Sequence, residues 1–206
     1  MRTSLVAVGV VLLTLPVFGQ GGGVTMDGWQ TRLDRPDRVE VNDLHFRSMG
    51  GGFHVTMAER SGAIFWNSSE TGSGSYTVSA TFTQTMPGSH PNSFGLFVGG
   101  QDLSGDGQRY TYFVIREDGQ FLLRKRMGAD VEDLTSGFAA HSAINTIDNG
   151  RMTNSLSIEV TASNVRFLSN GTEVASLPKA GLALDGVAGV RFSHQLDVHV
   201  ADFMVG

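Results

Sequence analysis

Cysteine is absent from all 206 residues. That excludes disulfides, thiol chemistry and lipid attachment through an N-terminal cysteine. The folded chain must be held by its core alone, which this length permits. Proline is scarce, at 5 residues against 27 glycines, a balance that suits many turns between uninterrupted strands. Positive charge is in deficit: 15 Lys and Arg stand against 20 Asp and Glu, a net charge of -5. No phosphate-binding surface is implied, and so no nucleic-acid partner. Helical periodicity is missing as well, since no stretch of useful length beyond the N-terminus repeats its apolar residues every three to four positions.

The one long apolar run is N-terminal. Arg2 supplies a positive charge, Leu5 to Phe18 the apolar stretch, and Val17-Phe18-Gly19 a cleavage pattern. Residues 1–19 read as a signal peptide, too short an apolar run for a comfortable membrane span. Residues 20–28 read as a linker and 29–206 as a single domain. The expectation is an exported protein, periplasmic or extracellular, with no membrane span.

What is present is a series of strands. The best-marked lie between Gly95 and Arg126, GLFVGGQDLSGDGQRYTYFVIREDGQFLLRKR. Tyr110 to Glu117 and Gln120 to Arg126 flank Asp118-Gly119, a pair that signals a two-residue hairpin turn. In that register Phe113 faces Arg124 and Ile115 faces Leu122. Thr111, Phe113 and Ile115 then share a face with Leu122, and Tyr110, Tyr112 and Val114 share the other with Phe121 and Leu123. With apolar residues on both faces, the hairpin belongs inside a sheet. Arg116, Arg124, Lys125 and Arg126 form a local basic cluster at its ends.

Elsewhere, Trp29 to Asp34, Leu44 to Met49, Phe53 to Met57 and Ala63 to Trp66 read as short strands, the last closed by a Ser/Gly-rich loop. Tyr76 to Thr85 alternates strictly, with Tyr76, Val78, Ala80 and Phe82 on one face and Thr77, Ser79, Thr81 and Thr83 on the other. Leu156 to Thr161 alternates likewise. Asn170-Gly171 marks a second hairpin that places Val165 and Phe167 with Val174. Gly186 to His194 and Leu196 to Val205 read as paired terminal strands. About a dozen short strands with turn signals every eight to twelve residues predict an all-β, two-sheet antiparallel sandwich or jelly roll.

The order GLFVGG, YTYFVIREDGQFLLRKR, NSLSIEVTASNVRFLSNGTEVASL, GVAGVRFSHQLDVHVADFMV resembles the concanavalin A-like lectin/glucanase superfamily, in its laminin G-like and 3-keto-disaccharide hydrolase-like branches. The resemblance covers about Trp29 to Val205 and implies a jelly roll of two antiparallel sheets. Glucanases of the superfamily carry a Glu-x-Asp pair on one strand, because acid and nucleophile must flank one glycosidic bond. No glutamate here is followed two residues later by aspartate. Nucleophile elbows, zinc-protease motifs and phosphate loops are also missing from the sequence.

Candidate site residues fall into three groups. Trp66, Tyr110 and Tyr112 could stack sugar rings, and Arg124 of the hairpin's basic cluster is a further candidate for ligand contact. Asp197 and His199 lie two apart on the last strand, with His194 at the preceding turn. They could contact a sugar, transfer a proton or hold a metal, or simply point outward from a half-solvated sheet. Asp102, Ser104 and Asp106 have the spacing of the first ligands of a calcium loop, but the twelfth position is Phe113 where a bidentate glutamate is needed. A Gly/Asp/Ser turn cluster is the simpler account of them. The combined expectation is an exported, non-catalytic module binding a glycan or cell-envelope component. The alternative is a glycoside-active hydrolase of the 3-keto-disaccharide type. Calcium is the only cofactor suggested.

Overall fold

The computed structural model describes residues 22–58 and 60–206. The targeting segment lies outside the described residues. Strands appear in the order β1 (Gly23–Val24), β2 (Trp29–Leu33), β3 (His45–Met49), β4 (Gly52–Met57), β5 (Ala63–Gly72) and β6 (Tyr76–Gln84). Next come β7 (Ser93–Gln101), β8 (Arg109–Arg116), β9 (Gln120–Met127), β10 (Asp130–Asp133) and β11 (Ala139–Ala140). Five more close the chain: β12 (Met152–Val160), β13 (Asn164–Ser169), β14 (Thr172–Pro178), β15 (Gly186–Phe192) and β16 (Leu196–Val205).

They form two sheets. The first runs β1-β3-β4-β16-β6-β12-β13-β14 and the second β10-β9-β8-β7-β15-β5-β2, with β11 also paired to β9. All pairings are antiparallel except β1 with β3. Residues Gly23 and Val24, inside the stretch expected to be a linker, therefore belong to a sheet.

The strict alternation of β6 has its expected effect, as buried and half-exposed residues follow one another along its nine positions. Inward-facing phenylalanines from the two sheets meet in the space between them. Phe46 stacks on Phe65 at 4.6 Å, Phe82 lies 5.6 Å from Phe94, and Phe113 packs edge-on to Phe167 at 5.7 Å. Such contacts add to the area each ring removes from water, and truncating one to alanine costs about 3–5 kcal/mol.

The second sheet is buried on both faces. Its outer face carries a separate apolar cluster of Ile64, Trp66, Phe97, Leu103, Tyr110, Tyr112, Val114 and Leu122. Leu103, from the loop after β7, covers this face, and Phe138 packs against its other end under the Arg116 guanidinium.

Three strand expectations are corrected. The β8–β9 hairpin has a three-residue loop: Ile115 pairs with Phe121, Val114 with Leu122 and Tyr112 with Arg124. Gly119 has φ 81°, whereas Asp118 does not enter the left-handed region, and the Gly119 N–H donates to Arg116 O. This is a turn closed by one left-handed glycine rather than two left-handed residues. The one-residue slip exchanges the faces of β9. Phe121 and Leu123 join the inter-sheet core, while Leu122, Arg124 and Arg126 share the outer face with Tyr110 and Tyr112. Second, β15 and β16 are not partners: β15 lies between β5 and β7, and β16 between β4 and β6. The chain changes sheets at Ser193–Gln195, where Gln195 takes φ 51°. Third, β5 continues through the Ser-rich stretch to Gly72, because Asn67 pairs with Trp29 and Thr71 with Val187. The Asn170-Gly171 turn has the expected pair of positive φ angles, 52° and 77°. A bulge between Phe167 and Leu168 then moves Phe167 opposite Ala175.

Candidate functional site

The outer face of the second sheet gathers charged residues from three separated segments and a glutamine from a fourth. β2 carries Arg32 and leads into Asp34, β9 carries Arg126, β15 carries Arg191, and Gln108 immediately precedes β8. Register explains the meeting. Arg32 and Arg191 both pair with Ile64, on the two sides of β5. Arg126 pairs with Tyr110.

Arg191 is the anchor. Its Nη2 donates to Asp34 Oδ2 at 2.6 Å and its Nη1 to Asp34 Oδ1 at 3.1 Å. The same Nη1 donates to the Tyr110 hydroxyl at 3.1 Å, and the guanidinium lies 4.9 Å from the Tyr112 ring centre. A planar, permanently charged fork can make all these contacts at once. Burial pushes the Asp34 carboxyl upward, but the Arg191 guanidinium, backed by Arg126 and Arg32, outweighs it and holds Asp34 below the usual carboxylate range. Burial pushes the Tyr110 hydroxyl upward, so it stays protonated.

Arg126 Nη1 lies 4.0 Å from Asp34 Oδ1, and its Nε donates to Gly128 O at 3.1 Å. With its amide oxygen facing inward, Gln108 accepts from Arg126 Nε and Arg32 Nε, each at 3.2 Å. Arg32 Nη1 donates to Leu103 O at 3.4 Å and also to Gly105 O, which ties the 102–108 loop down over the sheet. These groups border a cavity of about 340 Å³, within the usual range for small-ligand pockets, roughly 300–1,000 Å³. Arg32, Asp34, Ser104, Gln108 and Arg126 form its polar wall, and Leu33, Pro36 and Val41 an apolar one.

The sequence-predicted residues divide between two faces of the molecule. Trp66, Tyr110 and Tyr112 lie on this face but are 3%, 0% and 3% exposed. They are the floor under the charged cluster and offer no ring to solvent. Arg124 is on the same face nearer the sheet edge, ion-paired to Asp133. Asp197 and His199 are on the outer face of the first sheet. There Asp197 accepts from His54 Nε2 at 3.1 Å, from Thr56 Oγ1 at 3.1 Å and from Thr85 Oγ1. Burial pushes this carboxyl upward, but the hydrogen bonds from Thr85, His54 and Thr56 bring it below the ordinary range. The His199 ring lies 6.3 Å from that of His54. Asp197 thus ties β4 and β16 to the end of β6, and its oxygens are already engaged.

In the loop read as a partial calcium site, the Asp102 carboxylate accepts from Gly107 N–H at 2.9 Å, while exposed Asp106 lies 3.8 Å from Arg32. Among the described residues no three His, Asp or Glu side chains are arranged to hold a metal ion. A larger cavity of about 420 Å³ lies at the strand ends beside Arg109, Lys179 and Asp185. Its polar groups close loops: Lys179 Nζ donates to Gly74 O and the Asp185 carboxylate accepts from Gly74 N–H.

Arg32, Asp34, Gln108 and Arg191 were missed by sequence reasoning, and Arg126 was read only as part of the hairpin's basic cluster. One signal was available, a lone arginine between Val190 and Phe192 in a strand otherwise apolar enough for a sheet interior.

No protein-family model matches the sequence, and neither does any curated protein. Solved structures do. Carbohydrate binding module CBM66 from Bacillus subtilis superposes with a TM-score of 0.62 at 12% identity, over 89% of this chain and 98% of that one. A Bacillus subtilis protein of unknown function with a galectin-like fold gives 0.61 at 13% identity, over 90% and 96%. A glycoside hydrolase family 16 endo-glucanase from Bacteroides ovatus gives 0.54 at 8% identity, over 84% and 81%. The chain has the two-sheet jelly-roll fold of the concanavalin A-like lectin/glucanase superfamily.

Proposed function

We propose that the protein is a non-catalytic carbohydrate-binding module and that its ligand enters the cavity bordered by Arg32, Asp34, Gln108 and Arg126. In this reading the chain is exported after losing residues 1–19 and meets a glycan, free or in the cell envelope. The observation that carries the reading is the convergence of fixed planar donors and acceptors beside an apolar wall. Sugars need both surfaces, because hydroxyls demand directional hydrogen bonds while the C–H faces of the ring favour apolar contact. A carbohydrate binding module among the structures of the same fold supports it. Asp34 and Asp197 are both held low, whereas a general acid works with a raised pKa, so neither is suited to protonate a leaving group.

A glycan-array screen of the purified chain tests this. Saturable binding to at least one glycan class is expected, lost in Gln108→Ala and Arg126→Ala and kept in His199→Ala. EDTA should leave it unchanged, since the Asp102 carboxylate is engaged within its own loop. Silence across the array, or binding that tracks His199 instead of the pocket, would overturn the assignment.

A further inference from the structure

We propose, building on the carbohydrate reading, that the ligand is an acidic saccharide whose anionic group is taken by Arg126 with Arg32 beside it. The charge count around the cavity is uneven. Three guanidiniums, Arg32, Arg126 and Arg191, meet one partly buried carboxylate, Asp34. That carboxylate is committed to Arg191 by two hydrogen bonds, and Arg126 is left at 4.0 Å from it. The other nearby carboxylate, Asp106, is 3.8 Å from Arg32 and fully exposed, where water screens it. The Tyr110 hydroxyl adds no negative charge.

The excess of cation stands out because the chain as a whole carries a net charge of -5. It is also partly withdrawn from water: the Arg126 side chain is 19% exposed and that of Arg32 27%. Half-buried charge whose counter-charge is distant, shared or screened by water is costly, and an incoming anion lowers that cost. The geometry is suited to a planar or tetrahedral oxyanion. Gln108 holds Arg126 and Arg32 side by side through their Nε atoms, and Ser104 adds a hydroxyl to the same wall. Pro36 and Val41, in the lining of the same cavity, can accept the carbon face of the sugar ring. The anion could be the carboxylate of a uronic acid or a sulfate ester. Both are oxyanions that a guanidinium fork binds with two parallel hydrogen bonds.

The test is calorimetric titration of the full chain with three size-matched oligosaccharides: an oligouronide, its carboxyl-reduced neutral counterpart and a sulfated oligosaccharide. At least one acidic ligand should bind roughly tenfold or more tighter than the neutral one, the worth of a charged hydrogen bond. The margin should shrink in 0.5 M salt (about a 4 Å screening length). Arg126→Gln should erase the preference, and Arg151→Gln, which removes the same charge at an exposed position elsewhere, should preserve it. Circular dichroism would confirm that both variants are folded. Equal binding of acidic and neutral ligands, or a preference lost equally in both variants, would overturn the acidic assignment and leave the carbohydrate reading standing. If none of the three bound and the array were also silent, both would fall.

Discussion

Asp34 and Arg191 show what one pair of side chains can decide. Burial alone would push the Asp34 carboxyl towards its neutral form, whereas the guanidinium of Arg191 keeps its charge, and together they place a rigid bidentate pair under the cavity. Removing one partner leaves the other charged and partly desolvated. Asp34→Ala is therefore expected to cost about 3 kcal/mol or more, read as a shift in the urea midpoint at unchanged slope. Truncating the exposed Arg166–Glu173 pair should leave the midpoint nearly unchanged, because water screens it. Asp34 also governs acid stability. Its folded pKa is depressed, so its contribution is complete above the ordinary carboxylate value of about 3.9 and is lost as pH falls through the lower folded value. Asp197 acts in the same direction. Unfolding free energy measured from pH 6 down to pH 2 should decline mainly below pH 4, and Asp34→Asn should flatten part of that decline.

At the scale of elements, the β8–β9 hairpin decides which residues can reach the site. Alternation of apolar residues marked both strands correctly, and Asp118-Gly119 marked the turn. The loop length was not legible, because an Asp-Gly pair suits both a two-residue turn and a three-residue loop ending in a left-handed glycine. The inter-sheet core made the choice: the observed register buries Phe121 and Leu123 against Phe113 and Ile115, at the cost of turning Arg124 and Arg126 onto the outer face. There Tyr110 and Tyr112 had been expected to meet a ligand, and they instead form the floor under Arg191. Gly119 sits at φ 81° with the Thr146 Cγ2 methyl 3.1 Å from where a Cβ would stand. Gly119→Ala should cost about 1–2 kcal/mol, measurable by thermal melting. No loss would speak against this turn.

For the molecule as a whole, stability and site share one layer. Leu103 is 5% exposed in the outer cluster, and the loop it anchors carries Ser104 and leads to Gln108. Leu103→Ala should cost about 2–5 kcal/mol. It should also weaken glycan binding at temperatures where the protein remains folded, because the polar wall loses its support. Unchanged binding in a destabilised Leu103→Ala protein would show that the 102–108 loop holds its shape by its own hydrogen bonds.

By itself the sequence determined the class of the fold. Period-two alternation in β6 and β12, glycine-marked turns and the want of helical periodicity leave little besides stacked antiparallel sheets, because each such strand must bury one face. Only the tertiary structure decided the site. Asp34 and Arg191 stand 157 positions apart, and Gln108 and Arg126 reach them through registers that local sequence does not specify. A strand's side-chain period is two, so each one-residue choice of register sends a residue to the core or to the ligand face. Packing across the whole sandwich makes that choice.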